Sequence, residues 1–125
     1  MKRGALMAGA ECFHIEVTGS GSHGANPSAG IDPILTAAHV VVALNSIVSR
    51  EIDPCDMAVV SVGRIEAGTT TNVIPDTALL SGTLRAHNAA TMRQIESAVR
   101  RVAENVAAGF RATAAVYFGN EPYPP

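Results

Sequence analysis

Charge is scarce in this sequence. Only 16% of its 125 residues are Asp, Glu, Lys or Arg, against about 25% in an average globular protein. Hydrophobic residues make up 47%. That balance excludes a disordered chain and leaves part of the surface apolar. Neither sign of charge dominates: nine basic residues face eleven acidic ones, for a net charge of −2. No basic stripe exists, which argues against nucleic acid as a partner. Long apolar runs are missing too. The longest uncharged stretch, Pro33–Ser49, contains Thr36, His39, Asn45 and Ser46, whereas a membrane span needs about 20 mostly apolar residues. Met1–Met7 carries Lys2 and Arg3 but lacks the apolar core of a signal peptide. Cysteine is limited to Cys12 and Cys55, and neither belongs to a Cys-x-x-Cys pair. Both are expected to be reduced and half-buried, in a cytoplasmic protein. A mass of 12.9 kDa is one domain's worth, with a single core.

What is present reads as six elements. Glu11–Gly19 alternates Phe13, Ile15 and Val17 with His14, Glu16 and Thr18, the period of a strand. A Gly- and Ser-rich loop runs from Gly19 to Gly30. Asp32-Pro33 opens a helix, with a capping side chain before a proline at the first helical position. This helix extends to about Arg50, and Asp53-Pro54 breaks it. Met57–Ala67 is strand-like, with Val59, Val60, Val62 and Ile65 β-branched. A loop from Ala67 to Asn72 follows, then a strand over Thr77–Ala86. Asn88 caps a second helix, Ala89 to about Ala108, which Gly109 is expected to stop. Arg111–Phe118 is a last strand, and Asn120–Pro125 an irregular tail. The order β-α-β-β-α-β predicts an α+β, ferredoxin-like sandwich: a four-stranded antiparallel sheet with two helices on one face.

The two helices differ. The second carries Met92, Ile95, Val99, Val102, Val106 and Phe110 on one side, opposite Arg93, Glu96, Arg100, Arg101 and Glu104. That is a surface helix with one buried stripe. The first has two apolar stripes, Ile34-Ala38-Val41-Val48 and Val40-Ala43-Leu44-Ile47. A two-layer domain covers only one of them. The second copy of a homodimer is the simplest cover, resting on helix Pro33–Ser49 and on Met57–Ala67, an edge strand in this topology. Leu44 and Ile47 are expected to face that partner.

Few residues carry chemistry. Gly19-Ser20-Gly21-Ser22-His23-Gly24 fits G-x-G-x-x-G after a strand. The helix begins only at Pro33, however, so no helix N-terminus holds a pyrophosphate and nucleotide binding is excluded. The four histidines, His14, His23, His39 and His87, fall at no metal-ligand spacing. His39 is expected to be packed or interfacial, and His14 and His87 to face solvent. Asp32 is taken up as a cap and Asp76 stands alone beyond Pro75. No metal site is expected within this chain. His23 differs from the other histidines, because Gly21, Ser22, Gly24 and Ala25 around it let the imidazole stand clear of the backbone. A second polar cluster spans Gly68–Asp76. Arg85 lies among apolar strand residues, where a guanidinium calls for a carboxylate or phosphate partner. His23, Asn72 and Arg85 can all donate hydrogen bonds to an anion.

Three segments together resemble a known family. They are Phe13–Gly19 with Ser22-His23-Gly24-Ala25-Asn26-Pro27 and Gly30-Ile31-Asp32-Pro33-Ile34; Gly68–Pro75; and Gly82-Thr83-Leu84-Arg85. In order and spacing they are similar to the dimerisation (lid) domain of the aminoacylase, hippurate hydrolase and carboxypeptidase G family of di-metal amidohydrolases and peptidases. The Ser49-Arg50 pair, with Asp53-Pro54 after it, most resembles the hippurate hydrolase and N-acyl-amino-acid branch.

The resemblance implies a role for each residue. His23 would reach the partner subunit's active site and stabilise the tetrahedral oxyanion. Asn72 would bind substrate beside it, and Arg85 would grip the substrate carboxylate. The family's two divalent metal ions, zinc or manganese, and its general base belong to a separate catalytic domain that this sequence does not match. The chain is thus expected to be a lid from a longer enzyme, inactive by itself. Its rival is a free-standing ferredoxin-like module that binds a small ligand or only assembles.

Overall fold

The computed structural model describes residues 9–119. The readings of Met1–Met7 and of Asn120–Pro125 lie outside the described residues. The chain runs through β1 (Gly9–Thr18), β2 (Ser22–His23), α1 (Pro33–Glu51), β3 (Ala58–Ala67), β4 (Val73–Ile74), β5 (Thr77–Ala86), α2 (Ala89–Gly109) and β6 (Thr113–Phe118). A four-stranded sheet has the order β3-β5-β1-β6, and every neighbouring pair is antiparallel. With α1 and α2 on one face, this is the ferredoxin-like α+β sandwich that the sequence predicts. β2 and β4 form a separate two-stranded ladder.

Alternation builds the sheet's inner face. Phe13, Ile15 and Val17 of β1 and Leu80 and Leu84 of β5 are fully buried against the helices. The outer face carries His14, Glu16, Ser81, Thr83 and Arg85. A bulge between Val62 and Arg64 shifts the register of β3 on β5. Before it, Val59 and Ser61 point outward; beyond it, Arg64 and Glu66 do. β3 is an edge strand, as expected.

α1 begins where the sequence says. The Oδ1 of Asp32 accepts the amide hydrogens of Ile34 at 2.8 Å and Leu35 at 3.2 Å. By length and composition α1 could cross a membrane, with a mean hydropathy of 1.3. Its Pro33, Thr36, Ala37, Val40, Leu44 and Ile47 are instead buried in the core. Leu44 and Ile47 therefore do not face a partner: they lie under the helix, on the sheet. The outward side holds Ile34, Leu35 and Val42, the last 70% exposed. At the C-terminus of α1, Glu51 accepts a hydrogen bond from Arg101 of α2. That bond and the charge of Glu51 raise the pKa of the Arg101 guanidinium above its ordinary value.

α2 is rotated relative to its expected stripe. Thr91, Ile95, Ala98, Val99, Ala103 and Ala107 are buried, while Met92, Val102 and Val106 flank them. Alanines take the closest approach because α2 packs on α1 as well as on the sheet. Gly109 does not stop this helix but is its last residue. Phe110 is the C-cap, and Arg111 adopts φ +67, so the left-handed turn falls on a residue with a side chain. The amide of Ala112 then reaches the Ala107 carbonyl at 2.9 Å.

His87 and the cysteines also depart from expectation. His87 is structural: its Nδ1 accepts the Met57 amide at 2.9 Å, and its Nε2 lies 3.5 Å from Asp56. His14 bonds Ser81 Oγ at 3.0 Å on the outer sheet face. His39 is exposed, with its ring 4.8 Å from that of Phe110. Cys12 and Cys55 are free and exposed rather than half-buried. Cys12 falls on the uncovered face of β1, and Cys55 in the turn after α1.

Candidate functional site

The chain leaves the sheet at Gly19 and builds a small lobe. The Gly19 amide donates to the Asp76 carbonyl at 2.8 Å, and Ser20 and Ile31 exchange two backbone bonds of 2.8 Å. β2 then pairs with β4, placing Ser22 opposite Ile74 and His23 opposite Val73. The Gly24 amide donates to the Asn72 carbonyl at 2.8 Å. His23 and Asn72, far apart in sequence, thus sit on one two-stranded ladder.

Both side chains are exposed, and each is held by a near neighbour. The Nδ1 of His23 accepts the Ala25 amide hydrogen at 3.0 Å. A neutral imidazole that accepts at Nδ1 carries its hydrogen on Nε2. His23 therefore presents a donor to solvent. The Oδ1 of Asn72 accepts from the Thr70 hydroxyl at 2.9 Å, which leaves the two Nδ2 hydrogens as its outward groups. The lobe offers hydrogen-bond donors to a ligand, as an oxyanion or a polarised carbonyl requires.

Arg85 is not part of this lobe. It is exposed on the outer face, opposite Ala10 of β1 and Val59 of β3. β5 starts beside the lobe at Thr77 and reaches Arg85 eight residues later, about 26 Å away at roughly 3.3 Å per residue. Within one chain, His23 and Arg85 stand at opposite ends of the sheet.

A hollow of about 480 Å³ opens beside the Asn72 loop, lined by Glu16, Glu66, Thr69, Val73, Thr77 and Leu79. A larger one, about 760 Å³, runs along α2 and includes Glu11, Arg93, Arg100 and Phe118. It shares no residue with the lobe. Among the described residues, no three of His, Cys, Asp and Glu come together to hold a metal ion. The described residues thus do not fit a di-metal centre.

Three contacts of the lobe go beyond the reading of the sequence: the Thr70 hydroxyl on Asn72, the Ala25 amide on His23, and Asp76. Asp76 does not stand alone, because its Oδ1 accepts the Gly21 amide hydrogen at 2.7 Å. The pattern Thr70-x-Asn72 was a usable signal, since hydroxyl and amide side chains bond locally in turns. The Asp76 contact joins distant segments and left no such signal.

Known proteins match both sequence and fold. The family model described as the peptidase dimerisation domain matches residues 8–111. N-acetyl-L-cysteine deacetylase of Bacillus subtilis is 40% identical over 124 residues, covering 99% of this chain and 30% of that protein. Hippurate hydrolase of Campylobacter jejuni is 41% identical over 107 residues, covering 86% and 28%. A dinuclear metal-binding peptidase of the M20 family from Bacillus subtilis superposes with a TM-score of 0.71 at 35% identity, over 100% of this chain and 29% of that one. The aminobenzoyl-glutamate utilization protein of Klebsiella pneumoniae gives 0.81 at 25% identity, over 97% and 31%. This chain thus spans about three tenths of the length of these relatives. It belongs to the peptidase dimerisation domain family, the dimerisation domain of M20 amidohydrolases and peptidases.

Proposed function

We propose that this chain is the lid of a cytoplasmic, metal-dependent amidohydrolase that cleaves N-acyl amino acids, and that it works as a homodimer. The relatives that act on N-acetylcysteine and hippurate support that substrate class. The two divalent ions, zinc or manganese, belong to the rest of the longer protein.

One observation carries the reading: the donors of the lobe and the guanidinium of Arg85 lie at opposite ends of one sheet. A two-fold axis normal to the sheet at the β3 edge reconciles them. Ala67 of β3 lies opposite Ala78, at the lobe end, and Ala58 lies opposite Ala86, beside Arg85. Two β3 edges related by a two-fold axis run antiparallel. The lobe of one protomer then stands at the same end of the joined sheet as Arg85 of its partner. A substrate there meets donors for its acyl oxygen from His23 and Asn72, and a guanidinium for its carboxylate from the other chain. The outward side of α1, with Ile34, Leu35 and Val42, covers its counterpart in the same dimer.

In the longer enzyme, His23→Ala is expected to lower kcat by about 10²–10³ with little change in KM, because the bond forms mainly in the transition state. Mixed dimers check that His23 acts in trans. One subunit lacks His23; the other keeps His23 and lacks the metal ligands. Activity should return at one site in two. No recovery defeats the proposal.

A further inference from the structure

We propose that Asp76 is a positioning residue for His23. The proposal rests on the reading above, in which His23 donates from Nε2 to a substrate oxygen. Asp76 holds the segment before His23 at two points. Its carbonyl accepts the Gly19 amide at 2.8 Å, and its Oδ1 accepts the Gly21 amide at 2.7 Å. The second is a bond to an ionised acceptor, roughly twice as strong as a neutral one. Gly21 permits it: a Cβ there would lie 2.5 Å from the Ile74 carbonyl oxygen and 3.0 Å from that same Oδ1. Only a bare backbone passes between β4 and the carboxylate.

Asp76 also has a rigid base. It falls between β4, which pairs with His23, and β5, a central strand of the main sheet. The ladder of β2 and β4 is only two residue pairs long, and a short two-stranded ribbon has little stability of its own. The carboxylate therefore ties the lobe to the sheet and limits where the imidazole stands. Without this tie, His23 keeps its chemistry but spreads over more positions, and misplacement by about 1 Å can cost about 10² in rate.

The test is a double-mutant cycle in the longer enzyme, read as kcat and KM. Asp76→Ala is expected to lower kcat about tenfold and leave KM within about twofold. Added to His23→Ala it should lower kcat no further. Asp76→Asn keeps an oxygen acceptor and should restore most of the loss. In the 125-residue chain, the Gly21 amide should resist hydrogen exchange in the wild type and in Asp76→Asn, and lose that protection in Asp76→Ala. A full, additive loss in the double variant overturns the proposal while the His23 reading stands. A His23→Ala enzyme with unchanged kcat overturns the reading itself. If Asp76→Ala does not fold, the wild-type and Asp76→Asn chains still decide, because an unprotected Gly21 amide in the wild type refutes the contact.

Discussion

The ring of Phe13 occupies the space that a side chain at Gly82 would fill. The two residues are directly opposite across β1 and β5, and a Cβ on Gly82 would lie 2.6 Å from the ring and 2.0 Å from the Ser61 carbonyl oxygen. A glycine inside a central strand weakens it unless something needs that room. Here the largest fully buried side chain needs it, because Phe13 lies over the middle of the sheet.

Gly82→Ala is therefore expected to destabilise the chain by about 2 kcal/mol or more, in the range of an overpacked core. Urea unfolding monitored by circular dichroism gives the number. Stability equal to the wild type would mean that both the Phe13 ring and the β3 backbone at Ser61 yield freely.

Substitutions on α1 should separate folding from assembly. Val42→Glu falls on the exposed side and is expected to halve the mass seen by light scattering while the unfolding midpoint of the monomer hardly moves. Leu44→Glu puts a charge into the core and should unfold the chain outright. A Val42→Glu protein that stays dimeric rules out this face of α1 as the interface.

Arg85→Lys tests the guanidinium. If Arg85 holds a carboxylate through two parallel hydrogen bonds, lysine keeps the charge but loses the fork. In the longer enzyme, kcat/KM for an N-acyl amino acid should drop about tenfold or more. The corresponding N-acyl amide, which has no carboxylate, should be hydrolysed equally by both proteins. An equal drop on both substrates would argue against a carboxylate at Arg85.

Much of the fold was legible along the chain. Alternation in β1, the Asp32-Pro33 cap and the Asn88 cap, whose Oδ1 accepts the Thr91 amide at 2.7 Å, are local patterns. Local backbone chemistry sets each of them. The stop of α2 misled for a related reason. Glycine is the usual left-handed residue at a helix end, but in this chain Gly109 stays helical and the left-handed turn falls on Arg111.

The site divided along the same line. His23 and Arg85 stand out in the sequence because small or apolar neighbours surround them, and Asn72 because it belongs to the polar cluster Gly68–Asp76. Their grouping was not legible. Pairing of β2 with β4 brings two of them together, and the length of β5 sends the third to the far end of the sheet.

The sequence by itself determined the elements, their order, the caps and the residue types able to meet an anion. These depend on period, propensity and hydrogen bonds within a few positions. Only the tertiary structure decided which stripe of α1 lies on the sheet, that Asp76 clasps Gly21, and that Arg85 stands apart. Each of these depends on where a distant strand lies or how a loop closes, and neither is encoded in any short window of the chain.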